Sequence, residues 1–177
     1  IAATESIKLA RELRRHGANV FPMMSKSAEK VISPLALSWG SGVEVVTDWD
    51  PKMSQPRGFD GLILAPATRN TIAKFSHGLI DSPMMMALSA AVGSDIPTLF
   101  VPSMHNDLFD DAVTTDLLSS LEELGVTVFV DKPSEGRRKQ PSATAIVAEF
   151  CNLSNSSLEK RKRVAVILGG NSAPIDS

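Results

Sequence analysis

The sequence predicts an α/β domain in which helices cover both faces of a mostly parallel sheet, giving three layers. Helix-like and strand-like segments alternate along the chain, as in folds with parallel strands. Two short apolar runs, Gly61–Ala65 and Pro97–Val101, each end at a proline, which is typical of buried parallel strands that enter a turn. The length of 177 residues suits one domain with a well-buried core.

The individual elements are predicted from the period of the apolar residues and from the residues that start or stop each segment. Gly17, Gly78 and Gly125 stop three of the helical segments. The predicted helices are Ala2–His16, Ala28–Ile32, Thr68–His77, Ser82–Val92, Ala112–Leu124 and Ala143–Phe150. The predicted strands are Ala18–Met24, Val43–Thr47, Gly61–Ala65, Pro97–Val101, Val126–Val130 and Val164–Leu168.

The amino-terminal third is harder to interpret. Pro22 favours an edge or end position for the strand Ala18–Met24, because proline cannot donate to a sheet ladder. Region 33–58 is rich in proline and glycine, and its single predicted strand is Val43–Thr47. Since α/β domains normally begin with a strand, we expect a strand and a glycine-containing turn ahead of Ile1.

Composition argues against several classes of protein. The formal net charge of −2 indicates no partnership with nucleic acid or an anionic membrane. The single cysteine, Cys151, excludes an internal disulfide and a cysteine-rich metal site, and we predict no metal. No apolar run reaches the ~18–20 residues of a membrane span, and no signal peptide is visible. We therefore expect a cytoplasmic protein.

Two turns follow the predicted buried strands, and parallel sheets bind ligands at these carboxyl ends. In the first turn, Thr68, Asn70 and Thr71 cluster where a helix begins, and free N–H groups there attract anions or electron-rich atoms. The alternative is that Thr68 simply caps the helix. In the second turn, His105 could bind a carboxylate or move a proton, or it could be an ordinary surface histidine.

The segment APATRNTIAKFSHGLIDS, residues 65–82, resembles the PASANT-type motif of the flavin-dependent cysteine decarboxylases, which include phosphopantothenoylcysteine decarboxylases. The resemblance implies a flavodoxin-like (Rossmann-like) three-layer α/β/α fold with FMN as cofactor. It also implies that this segment contacts FMN through Thr68, Arg69, Asn70 and Thr71. Arg69 stands where the family usually has a small residue.

A second segment, PSMHNDLF at residues 102–109, resembles the PxMNxxMW substrate clamp of the same family. The resemblance implies that Met104, His105 and Asn106 bind the substrate and that His105 is catalytic. His105 falls where bacterial members have asparagine.

Two shorter matches imply further FMN contacts. Ile1–Ala3 resembles the end of the glycine turn that holds the FMN phosphate in the family, so Ala2 and Ala3 inherit that role. Ser25 and Ser27, in MMSKSA, match another flavin-contacting stretch. The alternative role of these serines is to cap the short helix that follows.

The tail VAVILGGNSAPID, residues 164–176, resembles the opening of a phosphopantothenate–cysteine ligase domain. The predicted organisation is therefore an FMN-binding flavoprotein domain at 1–152, a linker at 153–163, and the first strand of a truncated ligase-like domain at 164–177. In bifunctional coenzyme A enzymes the ligase domain follows the decarboxylase directly.

The resemblance implies an FMN-dependent decarboxylase that converts 4′-phosphopantothenoylcysteine, a phosphorylated cysteine derivative, to 4′-phosphopantetheine. A homo-oligomer, trimer or dodecamer, is expected. Two family residues are missing, namely the HIxL histidine and the cysteine of the loop after the last strand, and Cys151 is predicted to be a packing residue. The alternatives are a redox flavoprotein without decarboxylase activity, a flavin prenyltransferase, or a regulatory subunit without turnover.

Overall fold

The computed structural model describes residues 2–50, 58–131, 137–138 and 140–156. After a 3₁₀ turn at Ala2–Thr4, its helices are α1 Glu5–Arg15, α2 Lys26–Glu29, α3 Pro34–Ser41, α4 Arg69–Ser76, α5 Pro83–Val92, α6 Asn106–Phe109, α7 Ala112–Glu123 and α8 Ala143–Ser156. Its strands are β1 Leu62–Ala67, β2 Thr98–Pro102, β3 Met104–His105, β4 Thr127–Val128 and β5 Arg137–Arg138. None of the helices in these described ranges is both long and apolar enough to cross a bilayer.

Three of the strands form a parallel sheet in the order β1-β2-β4. Leu62 pairs with Thr98, and Leu99 pairs with Thr127. Helices α4 and α5 connect β1 to β2, and α7 lies between β2 and β4 in the chain. Strands β3 and β5 form a separate antiparallel pair beyond the end of β2. Because β1 and β2 are parallel neighbours in the sheet, their carboxyl ends lie side by side.

The side chains of β2 alternate between two apolar clusters. Phe100 belongs to the cluster formed with α4, α5 and α7, which includes Ile72 and Leu121. Leu99 and Val101 belong to the opposite cluster, formed with α1 and α8. Because successive residues of a strand point to opposite faces, this alternation places helices on both sides of the sheet. The predicted three-layer α/β/α arrangement is confirmed.

Most of the predicted elements are found with small shifts of their ends. The two apolar runs became β1 and β2, the run at Val126–Val130 became β4, and the long predicted helices became α1, α4, α5, α7 and α8. Helix α8 continues to Ser156 and so includes the first residues of the predicted linker. The rest of that linker and the predicted strand 164–168 lie outside the described residues.

The two predicted strands of the amino-terminal third are wrong as extended strands. Only a single parallel bridge joins Met23 to Val46, with hydrogen bonds from Met24 N to Val46 O and from Val46 N to Pro22 O. Pro22 has no N–H group, so the ladder cannot continue through it. A helix that the sequence did not predict, α3, occupies part of the irregular region; Ser33 caps its start and Gly42 (φ 81°) ends it.

Candidate functional site

A cavity of about 1070 Å³ lies between β1 and the Pro22–Met24 segment. Helices α1 and α5 contribute its apolar walls, for example Leu9, Leu13 and Met85. Its polar lining includes residues at the carboxyl end of β1, in the loop after β2 and around α2. We call it the main cavity. It lies where an open parallel sheet is expected to bind a ligand.

One wall of the main cavity is the turn from β1 into α4. Thr68 caps the helix, because its hydroxyl accepts a hydrogen bond from Thr71 N at 3.3 Å. The Thr68 and Thr71 hydroxyls are also 3.0 Å apart. The Asn70 amide is exposed and has no hydrogen-bond partner among the described residues. Thr68 thus fixes the turn, and Asn70 is available to a ligand.

A second wall of the main cavity is built by the start of α1 and the loop before α2. Ala2 and Ala3 line the cavity at the amino terminus of α1, and Ser6 Oγ donates to Ala65 O at 3.0 Å. Ser25 also lines the cavity, and its side chain caps α2 by accepting from Ala28 N at 3.2 Å. Ser27 is exposed at the same edge. The two walls together present small residues and hydroxyl groups.

Two lysine–aspartate ion pairs border the main cavity. Lys26 Nζ lies 3.0 Å from Asp48 Oδ2, and the hydrogen bond between them lowers the pKa of Asp48 and raises that of Lys26. Lys74 Nζ donates to Asp81 Oδ2, and this hydrogen bond holds the pKa of Asp81 below its usual 3.8. The Lys74–Asp81 pair joins α4 to the segment that starts α5.

We predict that Asp81→Asn makes stability less sensitive to acid. The folded-state pKa of Asp81 is depressed, so its contribution is present above the unfolded pKa and is lost as pH falls through the folded value. The urea midpoint of the variant should therefore lie below wild type at neutral pH, and the difference should shrink below about pH 4. Urea titrations at several pH values measure this.

The matched control for that prediction is Asp116→Asn, an exposed carboxylate in the middle of α7. It measures the effect of an Asp-to-Asn replacement that leaves the Lys74–Asp81 pair intact. A difference between Asp81→Asn and wild type that stays constant from neutral to acid pH would show that the Lys74–Asp81 pair does not stabilise the fold.

A second cavity of about 570 Å³ lies between the start of α4 and the loop after β2. It shares Thr68, Asn70, Ser103, Met104 and His105 with the main cavity, and these five residues connect the two spaces. Neither cavity includes any other histidine of this sequence.

Arg69 lines the second cavity rather than the main one. Its guanidinium Nη2 lies 2.7 Å from Asp111 Oδ2. The other carboxylate oxygen of Asp111 accepts from Val113 N and so caps α7. This ion pair ties the start of α4 to the start of α7 across the His105 loop.

The structure thus brings most of the predicted site residues to one cavity. Those that line the main cavity are Ala2, Ala3, Ser25, Ser27, Thr68, Asn70, Thr71, Met104 and His105. Asn106 lines neither cavity, and its Oδ1 is buried without a hydrogen-bond partner in the described chain.

One prediction about a cysteine is wrong, and several lining residues were missed. Cys151 is exposed, because the buried face of α8 is formed by Ile146 and Val147. The lining residues that the sequence did not single out include Lys74, Asp81, Ser103 and Gln140. Lys74 and Asp81 lie within the PASANT-like segment, so the sequence could have indicated them as lining residues. No local sequence motif indicated Gln140.

The residues of the main cavity are compatible with FMN. Ligand pockets usually measure about 300–1,000 Å³, and the observed volume of about 1070 Å³ lies just above this range. Half-buried apolar side chains such as Leu64 and Met84 suit a planar ring, while the hydroxyl groups of Ser25 and Ser27 suit a phosphate by hydrogen bonding. The free Asn70 amide offers both a donor and an acceptor.

An open parallel sheet with a polar-rimmed cavity at its carboxyl edge defines an α/β ligand-binding protein. The chain belongs to the Flavoprotein family, whose profile matches residues 1–170.

Two relatives cover nearly all of the chain. It is 33% identical over 183 residues to the coenzyme A biosynthesis bifunctional protein CoaBC of Thermococcus kodakarensis, covering 99% of this chain and 45% of that protein. It is 30% identical over 180 residues to the CoaBC protein of Methanocaldococcus jannaschii, covering 99% of this chain and 44% of that protein. The chain therefore spans less than half the length of these relatives.

Solved structures share the fold. The FMN binding protein AtHal3 superposes with a TM-score of 0.72 at 22% identity, covering 89% of this chain and 93% of that one. A PPC decarboxylase mutant complexed with pantothenoylaminoethenethiol superposes with a TM-score of 0.70 at 21% identity, covering 88% and 94%. The flavodoxin-like fold that the sequence predicted is confirmed.

Proposed function

We propose that this chain is an FMN-dependent decarboxylase of 4′-phosphopantothenoylcysteine that acts in coenzyme A biosynthesis in the cytoplasm. The observation that carries the proposal is the convergence of the PASANT-like turn and the His105 loop on one cavity. The CoaBC relatives, which match nearly all of the chain, support the pathway.

In this proposal the two walls of the main cavity hold the cofactor. Ala2, Ala3, Ser25 and Ser27 would bind the FMN phosphate, and Asn70 and Thr71 would hydrogen-bond the remainder of the cofactor. Bound FMN supplies a two-electron acceptor for oxidation of the substrate cysteine.

The loop after β2 would hold the substrate. Met104 gives an apolar contact, and the exposed imidazole of His105, which has no partner in the described chain, is free to take up a proton from the substrate. Arg69, although expected to contact FMN, lies with Asp111 at the second cavity, beside the same loop.

The test begins with the absorbance spectrum of the purified protein before and after FMN is added. Flavin bands that shift on binding support the cofactor site, and CO2 release on addition of 4′-phosphopantothenoylcysteine supports the activity. Light scattering on the same sample measures the expected homo-oligomer, which is supported by the exposed apolar side chains of α3, Leu35 and Trp39. Absence of FMN binding would contradict the proposal.

A redox flavoprotein of the same fold is the alternative, and one observation favours it. Among the described residues, the main cavity contains His105 but no second histidine and no cysteine, and Cys151 lies elsewhere on α8. NAD(P)H-dependent bleaching of the flavin, without CO2 release from the substrate, would support this alternative.

A further inference from the structure

The His105 loop, which runs from the end of β2 to the start of α7 and includes β3 and α6, is attached at both ends to the turn between β1 and α4. At the start of the loop, Ser103 N donates to Ala67 O at 3.2 Å. At its end, Asp111 Oδ2 lies 2.7 Å from Arg69 Nη2. One turn of the chain therefore holds both ends of the loop.

Asp111 connects this attachment to the rest of the loop. Its second carboxylate oxygen accepts from Val113 N at 3.3 Å and caps α7. In the first turn of α7, Thr114 is fully buried and its hydroxyl donates to Leu108 O in α6. Because these bonds link α6 to the start of α7, a displacement of Asp111 would also displace the residues just before it. An anchor at Asp111 therefore acts on the segment that carries His105.

Local helix stability does not explain an arginine at position 69. Arg69 is the first residue of α4, where a cation meets the positive end of the helix dipole. Its ion pair with Asp111 is partly shielded, since the two side chains are 28% and 36% exposed, whereas those of the surface pair Lys8–Glu5 are 70% and 45% exposed. The guanidinium also donates through a rigid planar group. A shielded ion pair of this kind fixes the distance between the starts of α4 and α7.

We propose that Arg69 is a positioning residue, which acts through Asp111 to hold the His105 imidazole at the boundary of the two cavities. The inference rests on the proposed function, in which His105 transfers a proton. Proton transfer requires heavy atoms within about 2.6–3.2 Å of each other, and a displacement of about 1 Å can slow a reaction about 100-fold. Because Arg69 adjoins Asn70, the same ion pair fixes the loop relative to the turn assigned to FMN.

The test is Arg69→Met, which keeps most of the apolar part of the side chain and removes the guanidinium. In FMN-loaded protein, kcat for CO2 release should fall about 10–100-fold, while the Kd for FMN stays unchanged. The same substitution in a His105→Ala background should cause no further loss, because Arg69 acts through His105. An equal loss of kcat in both backgrounds, or a weaker Kd for FMN, would overturn the inference.

Asp111→Asn separates the ion pair from the helix cap. Asparagine caps a helix about as well as aspartate, so α7 keeps its start. The atom that faces Arg69, however, becomes an NH2 group, which cannot accept a hydrogen bond from the guanidinium. The kcat of Asp111→Asn should therefore fall as in Arg69→Met, and the double variant should be no slower than either single variant. Wild-type kcat in Asp111→Asn would overturn the inference.

Arg15→Met is the matched control, because Arg15 also forms an ion pair, with Glu12 at 3.3 Å on α1, and lines neither cavity. This variant should keep the wild-type kcat. A loss of kcat as large as that of Arg69→Met would show that removal of any such ion pair slows the reaction, and it would overturn the inference.

Hydrogen exchange gives a measurement that does not depend on activity. In FMN-loaded Arg69→Met, the amides of the His105 loop should exchange about tenfold faster than in wild type or Arg15→Met, while those of β2 should not change. Unchanged exchange in the loop, or equally faster exchange in β2, overturns the inference even when wild type releases CO2. Wild-type protein that releases no CO2 contradicts the proposed function, and faster exchange confined to the loop would still support the anchoring role of Arg69.

Discussion

Replacing His105 with alanine is expected to lower kcat for CO2 release by about 10²–10⁴-fold, the usual contribution of a general acid or base. The imidazole lies on β3 at the boundary of the two cavities, exposed and without a partner in the described chain. No other histidine lines these cavities, so no nearby imidazole can replace it. Steady-state kinetics of FMN-loaded protein measure the loss.

Two further variants test whether the loss of activity in His105→Ala reflects a loss of proton transfer. His105→Asn keeps a hydrogen-bonding group but cannot transfer a proton at neutral pH, so it should remain as slow as His105→Ala. His77→Ala changes an exposed histidine at the end of α4, outside both cavities, and should retain wild-type kcat. Full activity in His105→Asn would contradict a proton-transfer role and would favour simple substrate binding. All three variants should bind FMN with the wild-type Kd.

The fold was predictable wherever local sequence sets the structure. β1 and β2 are buried strands made of continuous apolar runs, and that pattern is visible without any neighbour. The strand predicted at Ala18–Met24 failed because strand formation needs a partner, and only the Met23–Val46 bridge was made. Helix α3 was missed although Ser33 caps it, because the surrounding prolines and glycines masked its signal.

The residues of the candidate site were likewise predictable only where the local sequence determines their position. Thr68, Asn70 and His105 follow directly from the rule that ligands bind at the carboxyl ends of parallel strands. Gln140 also lines the cavity, and it follows β5, whose long-range antiparallel pairing with β3 is not indicated by any local pattern. The ion pair between Arg69 and Asp111 likewise depends on how α4 and α7 pack. Local sequence located the ligand-binding edge, and tertiary packing decided which side chains reach it.

Phe100→Ala is expected to cost about 3–5 kcal/mol of unfolding free energy, the usual loss for a buried phenylalanine. Phe100 is fully buried on the central strand of the sheet. Its ring lies 5.2 Å from that of Phe75 in an edge-to-face arrangement, so truncation leaves a cavity and removes an aromatic contact. Urea unfolding, with the slope compared between variants, measures the loss.

The same substitution at Phe21 is the matched control, because Phe21 is 63% exposed and its tilted contact with Phe59 is its aromatic partner. Phe21→Ala should cost less than about 1 kcal/mol. β2 continues directly into the loop that carries Met104 and His105, so Phe100→Ala should also weaken substrate binding at temperatures where the fold begins to open. Equal losses for the two variants would contradict a central position for β2 and, with it, the support that the sheet gives to the candidate site.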